Sequence, residues 1–321
     1  MSIRIVPESE RSPGVTHIPA LQLPSGALPY APRAARLRKL AHGHAMADYL
    51  LWAADLVDAQ QAVAEAAPLP ATEQAALAQT LLLQQGQPPA PLHSGQWPRS
   101  AHWLVLLEQL LQQLTPRPGM QGAPVQQALA TLRAADAAQC NAWADALLAA
   151  LRGDALPPDT GAALPDAAVG QLLWAALSLY WRQLAGQLPA SGMAEPGEQR
   201  HQCPVCDHAP TASLVLSGAQ AGLRYLQCSL CESQWHVVRT KCTSCDSTGA
   251  LDYWCLEDEK APIKAEACGD CHSYLKAFYL QADHQLELVA DDLASLALDA
   301  EMEAKELVRS GVNPLFLPAL A

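Results

Sequence analysis

Hydrophobic residues recur at helical spacing through the first half of the chain. From residue 100 to 114, and again from 170 to 184, apolar side chains return every three or four positions, which lines one face of an α-helix. Clusters of proline and glycine separate such stretches and mark helix ends. The two predicted buried stripes are Trp103, Leu106, Leu107, Leu110, Leu111 and Leu114, and Leu172, Leu173, Ala176, Leu177, Tyr180, Trp181 and Leu184.

A third segment, residues 32–67, lacks internal proline and predicts one long helix or two shorter ones. We therefore predict an all-helical domain of five to seven helices over residues 31–188. Residues 1–30 contain several prolines and no periodicity, so they are predicted to form an extended N-terminal arm. The apolar side of the third segment comprises Leu37, Leu40, Ala47, Leu51 and Ala54.

The pattern changes near residue 200. Residues 189–200 combine proline, glycine and charge without periodicity and are predicted to be a linker. Short aromatic or β-branched runs then predict strands at 212–217, 223–228, 235–240, 251–256 and 273–280. Helical spacing returns in a C-terminal helix and tail, residues 291–321, with Asp292 as the predicted N-cap and Gly311 as the predicted stop.

The charge balance argues against nucleic acid as a partner. The chain of 321 residues has a formal net charge of -12, and residues 202–290 contain eleven acidic against six basic residues. Binding to phosphates needs a basic face. No stretch reaches the roughly 20 apolar residues of a membrane span, and the N-terminus does not resemble a signal peptide. We expect a cytoplasmic protein without membrane insertion.

Eight of the ten cysteines occur as four Cys-x-x-Cys pairs in the last third of the chain. In a reducing compartment such pairs favour metal binding or redox chemistry over disulfides. Two residues between the cysteines let one turn direct both sulfurs at one ion, and two such turns complete a four-sulfur site of the rubredoxin or zinc-ribbon kind. The predicted ligands are Cys203, Cys206, Cys228, Cys231, Cys242, Cys245, Cys268 and Cys271.

The spacing of the pairs indicates a duplication. From Cys203 to Cys242 is 39 residues and from Cys228 to Cys268 is 40, with 21 and 22 residues between the pairs of each repeat. We predict that the first pair joins the second and the third joins the fourth, giving modules at 201–240 and 241–290. The alternative joins the first pair to the third and the second to the fourth.

Four thiolates leave no open coordination position, so a structural role for both metals is the simplest interpretation. Zinc, a single iron or an iron-sulfur cluster all suit four sulfurs. Rubredoxin turns favour glycine after the second cysteine, whereas this chain has Asp207, Glu232, Asp246 and His272 there. These departures weaken the expectation of tuned electron transfer.

The remaining candidates are interpreted as structural residues. Cys140 is expected to be a buried apolar residue, and Cys255 to lie on a strand, where it is a candidate redox thiol or substitute ligand. His44 is expected at the edge of the helical core. The sequence lacks a phosphate-binding loop, a nucleophile elbow and a metalloprotease motif, so no catalytic residue is predicted.

The segments "CPVCDHAP", "LRYLQCSLCESQWHVVRTKCTSC", "EACGDCHSYLK", "DDLASLALD" and "RSGVNPLFL" resemble the formate dehydrogenase accessory protein family, FdhE. The resemblance covers about residues 200–318. It implies an α+β fold, in which an N-terminal helical bundle is followed by two tandem rubredoxin-like modules and a C-terminal helix. It further implies a non-enzymatic maturation factor, chaperone-like, that binds the catalytic subunit of respiratory formate dehydrogenase. Iron is the metal that the resemblance favours at the eight cysteines, with zinc as the alternative.

Two other functions stay open at this point. One is a rubredoxin-like redox protein that acts on the cofactor of the client. The other is a zinc-ribbon module for nucleic acid, which the acidic balance around the cysteines disfavours.

Overall fold

The computed structural model describes residues 18–24, 26–83, 90–154, 164–189, 201–256 and 258–318. The fold is α+β, with a helical bundle followed by a sheet that carries both cysteine repeats and by a helical C-terminal segment. Residues 1–17 of the predicted arm and residues 190–200 of the predicted linker lie outside the described residues.

Seven α-helices lie in the described part of the chain between residues 30 and 185, within the predicted range. Segment 32–67 forms two helices rather than one, because the chain turns at Gly43, whose φ of +71° is readily adopted only by glycine. The helices are α1 (Tyr30–Ala41), α2 (Ala47–Ala66), α3 (Ala71–Leu83), α4 (His102–Leu114), α5 (Ala123–Ala134), α6 (Ala137–Arg152) and α7 (Ala167–Ala185).

Helix α7 is the centre of the bundle. It contacts α2, α4, α5 and α6, and its side chains are buried on all sides rather than along the one predicted stripe. A helix that is apolar all round belongs inside a core. The stripe predicted for α4 is confirmed, since all six of its residues are buried. The prediction for α2 is wrong at Leu51, whose side chain is 45% exposed.

Both cysteine repeats contribute to one sheet. Among the described residues each repeat has three antiparallel strands. Strand β2 (Pro210–Val215) of the first repeat pairs in parallel with β7 (Ser273–Tyr279) of the second, with Ser213 opposite Ala277. The order is β1-β4-β3-β2-β7-β6-β5, and β8 also pairs with β7. The strands are β1 (Leu21–Gln22), β2 (Pro210–Val215), β3 (Arg224–Cys228), β4 (Gln234–Val237), β5 (Leu251–Trp254), β6 (Ile263–Cys268), β7 (Ser273–Tyr279) and β8 (Val308–Arg309).

The C-terminal segment, as far as it is described, contains two short helices, α8 (Leu288–Ala294) and α9 (Leu296–Glu303). The predicted N-cap is wrong, because Asp292 lies inside α8 with its side chain buried. Glu287 caps this helix instead, and its carboxylate accepts a hydrogen bond from the Ala290 N–H at 2.8 Å.

The chain beyond α9 returns to the bundle. The predicted helix stop at Gly311 is wrong, because this glycine passes against β2, where a Cβ atom would lie 2.5 Å from the carbonyl oxygen of Thr211. Farther on, the hydroxyl of Tyr49 in α2 donates to the carbonyl of Leu315 at 2.8 Å. The tail thus fixes the sheet against the helices.

Candidate metal centres

The first set of four cysteines lies where the first repeat meets the helical bundle. Cys203 and Cys206 precede β2, Cys228 ends β3, and Cys231 lies in the turn to β4. The sulfur of Cys203 is 3.6 Å from that of Cys231, and the sulfurs of Cys206 and Cys228 are 3.3 Å apart. All four sulfurs lie within 4.8 Å of one another. Each residue is at most 1% exposed.

The second set lies at one end of the second repeat. Cys242 and Cys245 precede β5, Cys268 ends β6, and Cys271 lies in the turn to β7. The Cys242–Cys271 and Cys245–Cys268 sulfur distances are both 3.7 Å. Cys245 and Cys271 are exposed, unlike any cysteine of the first set. The structure therefore groups the sulfurs within each repeat and not across the repeats.

These distances suit one ion held by four thiolates. A disulfide would place two sulfurs about 2.05 Å apart, whereas a tetrahedral zinc site with bonds of about 2.3 Å separates its sulfurs by about 3.8 Å. Burial also raises the pKa of the Cys203 and Cys206 thiols well above the ordinary value. Four ionised sulfurs at that depth need a cation to offset their charge. The donor set fits zinc or iron.

Backbone N–H groups point at the sulfurs in these turns. The N–H of Val205 lies 3.4 Å from the Cys203 sulfur, and that of Leu230 lies 3.3 Å from the Cys228 sulfur. Such donors stabilise thiolate charge and fix the orientation of the ligand. The turns are thus arranged for ionised cysteines.

The residue after the second cysteine has a left-handed backbone in all four turns. Its φ is +66° at Asp207, +61° at Glu232, +60° at Asp246 and +56° at His272. Glycine adopts this conformation at least cost, which explains its preference in rubredoxin turns, and aspartate tolerates it better than most residues. The four turns therefore keep the rubredoxin-like backbone without glycine.

The helical bundle holds the first set directly. The N–H of Leu92 donates to the carbonyl of Val205 at 2.8 Å, and the N–H of Ser94 donates to the carbonyl of Cys206 at 3.1 Å. These bonds attach the loop before α4 to the first cysteine turn. The sequence identified that loop only as a helix break, because its partner lies more than a hundred residues away.

An ion-pair group completes this attachment. The carboxylate of Glu232, next to Cys231, lies 2.7 Å from Nη1 of Arg33 in α1 and 3.0 Å from Nε of Arg182 in α7. Nε of Arg33 also pairs with Glu287 at 2.9 Å. Nothing in the local sequence identified these residues as part of the site, because the pairs join segments 50 to 250 residues apart.

Histidines are absent from both sets among the described residues. His208 is fully buried against the ring of Trp174, with ring centroids 5.3 Å apart. Burial, with a smaller effect from the charge of Arg152, lowers the pKa of His208 to about 3, so its ring is neutral. Neither of its ring nitrogens has a hydrogen-bond partner among the described residues. His44 is partly buried at the edge of the helical core, as expected, and its Nε2 lies 2.9 Å from the carbonyl oxygen of Ala294.

The other two cysteines belong to neither set. Cys140 is buried in α6, as predicted. The prediction that Cys255 lies on a strand is wrong, because β5 ends at Trp254 and the thiol of Cys255 donates to the carbonyl of Asp258 at 3.1 Å in the following loop. No helix in the described parts of the chain combines the length and apolar character needed to cross a membrane.

Three family models match consecutive parts of the chain: "FdhE, N-terminal" at residues 18–198, "FdhE, central domain" at 202–239 and "FdhE, C-terminal domain" at 240–316. The "Protein FdhE homolog" of Edwardsiella ictaluri is 45% identical, and the "Protein FdhE" of Escherichia coli K12 is 42% identical, each alignment covering 99% of both chains.

The crystal structure of the FdhE protein from Pseudomonas aeruginosa is also similar. It matches with a TM-score of 0.77 and 38% sequence identity, over 94% of this chain and 99% of that one. Together with the two sets of four cysteines, these matches establish that the chain belongs to the FdhE family.

Proposed function

We propose that this protein is an accessory factor for formate dehydrogenase, which binds the catalytic subunit of that enzyme in the cytoplasm during maturation and catalyses no reaction itself. Membership of the FdhE family carries this proposal, because a role in formate dehydrogenase maturation is what the family resemblance implies. The metals would be held by the eight cysteines of the two sets, with iron favoured by that resemblance and zinc as the alternative.

The chemistry of the sites supports a binding role. A metal held by four thiolates has no vacant position for substrate or water, so it would shape a surface rather than activate a reactant. In this proposal residues 31–188 form a helical domain, and modules at 201–240 and 241–290 are rigid attachments to it. The net charge of -12 favours a protein partner over nucleic acid.

The test is a gene deletion with complementation. Formate dehydrogenase activity should fall in the deletion strain and return with the wild-type gene, and the catalytic subunit should co-purify with a tagged copy of this protein. A copy that carries Cys140→Ser should restore activity as the wild-type gene does, since Cys140 lies outside both sets. Unchanged activity in the deletion strain, with no subunit retained, would refute the proposal.

A redox role is the second candidate, and the exposure of Cys245 and Cys271 favours it. Iron held by four thiolates can take up one electron, and an exposed sulfur shortens the path to a partner. Anaerobically purified protein should then show a thiolate-to-iron absorption band that bleaches on reduction. Colourless protein that contains only zinc would exclude this role.

A further inference from the structure

The two sets of cysteines differ in access, although their spacing in sequence is nearly the same. The main hydrophobic core of the protein includes all four cysteines of the first set. In the second set Cys242 and Cys268 are buried, at 6% and 1% exposure, but Cys245 and Cys271 face solvent. Duplicated ligands thus lie in two different environments.

The first set is closed by the helical bundle. Backbone bonds from Leu92 and Ser94 cover one cysteine turn, and the ion pairs of Glu232 with Arg33 and Arg182 hold the other. A chelator or thiol reagent reaches these sulfurs only if the interface with the bundle opens. Such an opening breaks several buried contacts together, so it is rare.

The second set is open on one side. Its two exposed cysteines come from different turns, and a cavity of about 220 Å³ lies beside Cys242, lined in part by His201, Lys241 and Asp246. The hydroxyl oxygen of Ser273 lies 3.1 Å from the Cys271 sulfur, and Cys271 as a whole is exposed. An incoming ligand can therefore reach an ion held by this set while the fold stays closed.

We propose that the second set, Cys242, Cys245, Cys268 and Cys271, is an exchange site for a thiophilic divalent cation, whereas the first set retains its ion for as long as the bundle stays folded. Exchange would require an external ligand to bind the ion while the exposed cysteines, Cys245 and Cys271, release it first. Each released thiolate would take up one proton, and the cation would keep its charge. This inference goes beyond the proposed function and does not depend on it.

The test uses the full-length protein, loaded with Zn²⁺ under anaerobic conditions and mixed with an excess of a chromogenic chelator. We expect one equivalent of zinc to leave in a fast phase and the second to leave roughly 100-fold more slowly or slower still. Pulses of N-ethylmaleimide followed by mass spectrometry should label the second set during the fast phase and the first set only during the slow phase.

The variant Cys245→Ser should lack the fast phase and keep the slow one, and Cys140→Ser should keep both. Release of both equivalents at one rate would overturn the proposal, as would labelling of the first set before the second. A single bound equivalent that resists the chelator would overturn it too. The labelling order is measured on the wild-type protein. The test therefore remains valid even if a cysteine variant fails to fold.

Discussion

At the scale of single residues, the left-handed position in each cysteine turn carries different side chains with different consequences. His272 is exposed at this position, with φ of +56°. Glycine avoids the steric cost of a left-handed backbone but adds freedom to the unfolded chain. His272→Gly should therefore raise the free energy of unfolding of the metal-loaded protein by about 0.5–1 kcal/mol. Urea unfolding, with hydrogen exchange in β6 as the local reporter, measures the change.

Replacement by glycine at the equivalent position of the first set should have the opposite effect on the free energy of unfolding. Glu232 has nearly the same φ, but its carboxylate pairs with Arg33 and Arg182, and both guanidinium groups are buried. Removing one partner from a buried ion pair leaves uncompensated charge and costs about 3–5 kcal/mol. Glu232→Gly should therefore lower stability despite the relief of backbone strain. A stability gain in this variant would contradict the role assigned to the ion pairs.

At the scale of elements, a buried group of charges joins β7 to the C-terminal segment. Nζ of Lys276 lies 3.0 Å from a carboxylate oxygen of Asp292 in α8 and 2.6 Å from one of Asp299 in α9. The guanidinium of Arg309 in β8 lies 2.6 Å from Asp292. Asp292→Asn should lower the free energy of unfolding at neutral pH by about 3 kcal/mol, because buried Lys276 and partly exposed Arg309 lose a shared anion and keep only Asp299.

The effect of this variant should depend on pH. Burial tends to raise the pKa of Asp292, but Lys276 and Arg309 outweigh it and lower the pKa below the ordinary value. The pKa of an unfolded aspartate is about 3.9. The stabilisation by ionised Asp292 is therefore complete above that pH, and it is lost as the pH falls through the lower pKa of Asp292 in the folded protein. The stability difference between wild type and Asp292→Asn, from urea unfolding at neutral and acidic pH, should shrink in acid. A constant difference would contradict the prediction.

The sequence predicts well those elements whose conformation follows from their own pattern of apolar and polar side chains rather than from distant contacts. The stripe from Trp103 to Leu114 predicts α4 because its apolar residues recur every three or four positions along one face. Strand β6, Ile263–Cys268, was missed because Lys264, Glu266 and its alanines are ordinary in helices, and its neighbours β5 and β7 fix it as a strand. The parallel pairing of β2 with β7 was also missed, since no local pattern records a contact between repeats.

At the scale of the whole molecule, the duplicated spacing predicts two modules, and the structure places their two sets of cysteines in unequal environments. The cysteine pairs could be grouped from sequence because each pair is local and the repeat keeps its spacing. Their different burial could not, because it comes from segments far away in the chain, such as the loop around Leu92 that bonds to Val205. The first set is part of the core of the bundle, and the second lies outside that core.

This difference predicts how far the loss of each metal spreads. Cys206→Ser removes a ligand at the interface with α1 and α7. The bonds of Leu92 and Ser94 to the first cysteine turn, and the ion pairs of Glu232 with the two arginines, should therefore loosen with it. Hydrogen exchange should then rise in α1, in α7 and in residues 90–97 as well as in β2 and β3. The matched variant Cys245→Ser should raise exchange only in β5, β6 and the turns beside them.

Circular dichroism first checks that both variants are folded, and metal analysis checks that each has lost one of two equivalents. The comparison then depends on α7 alone, because this helix is the centre of the bundle and contacts residues next to the first set, with Trp174 against His208 and Arg182 paired with Glu232. If α7 exchanged equally in the two variants, the first set would be a separate module after all. If the first set is part of the core of the bundle, hydrogen exchange in α7 should be faster in Cys206→Ser but not in Cys245→Ser, because only the first set shares that core with α7.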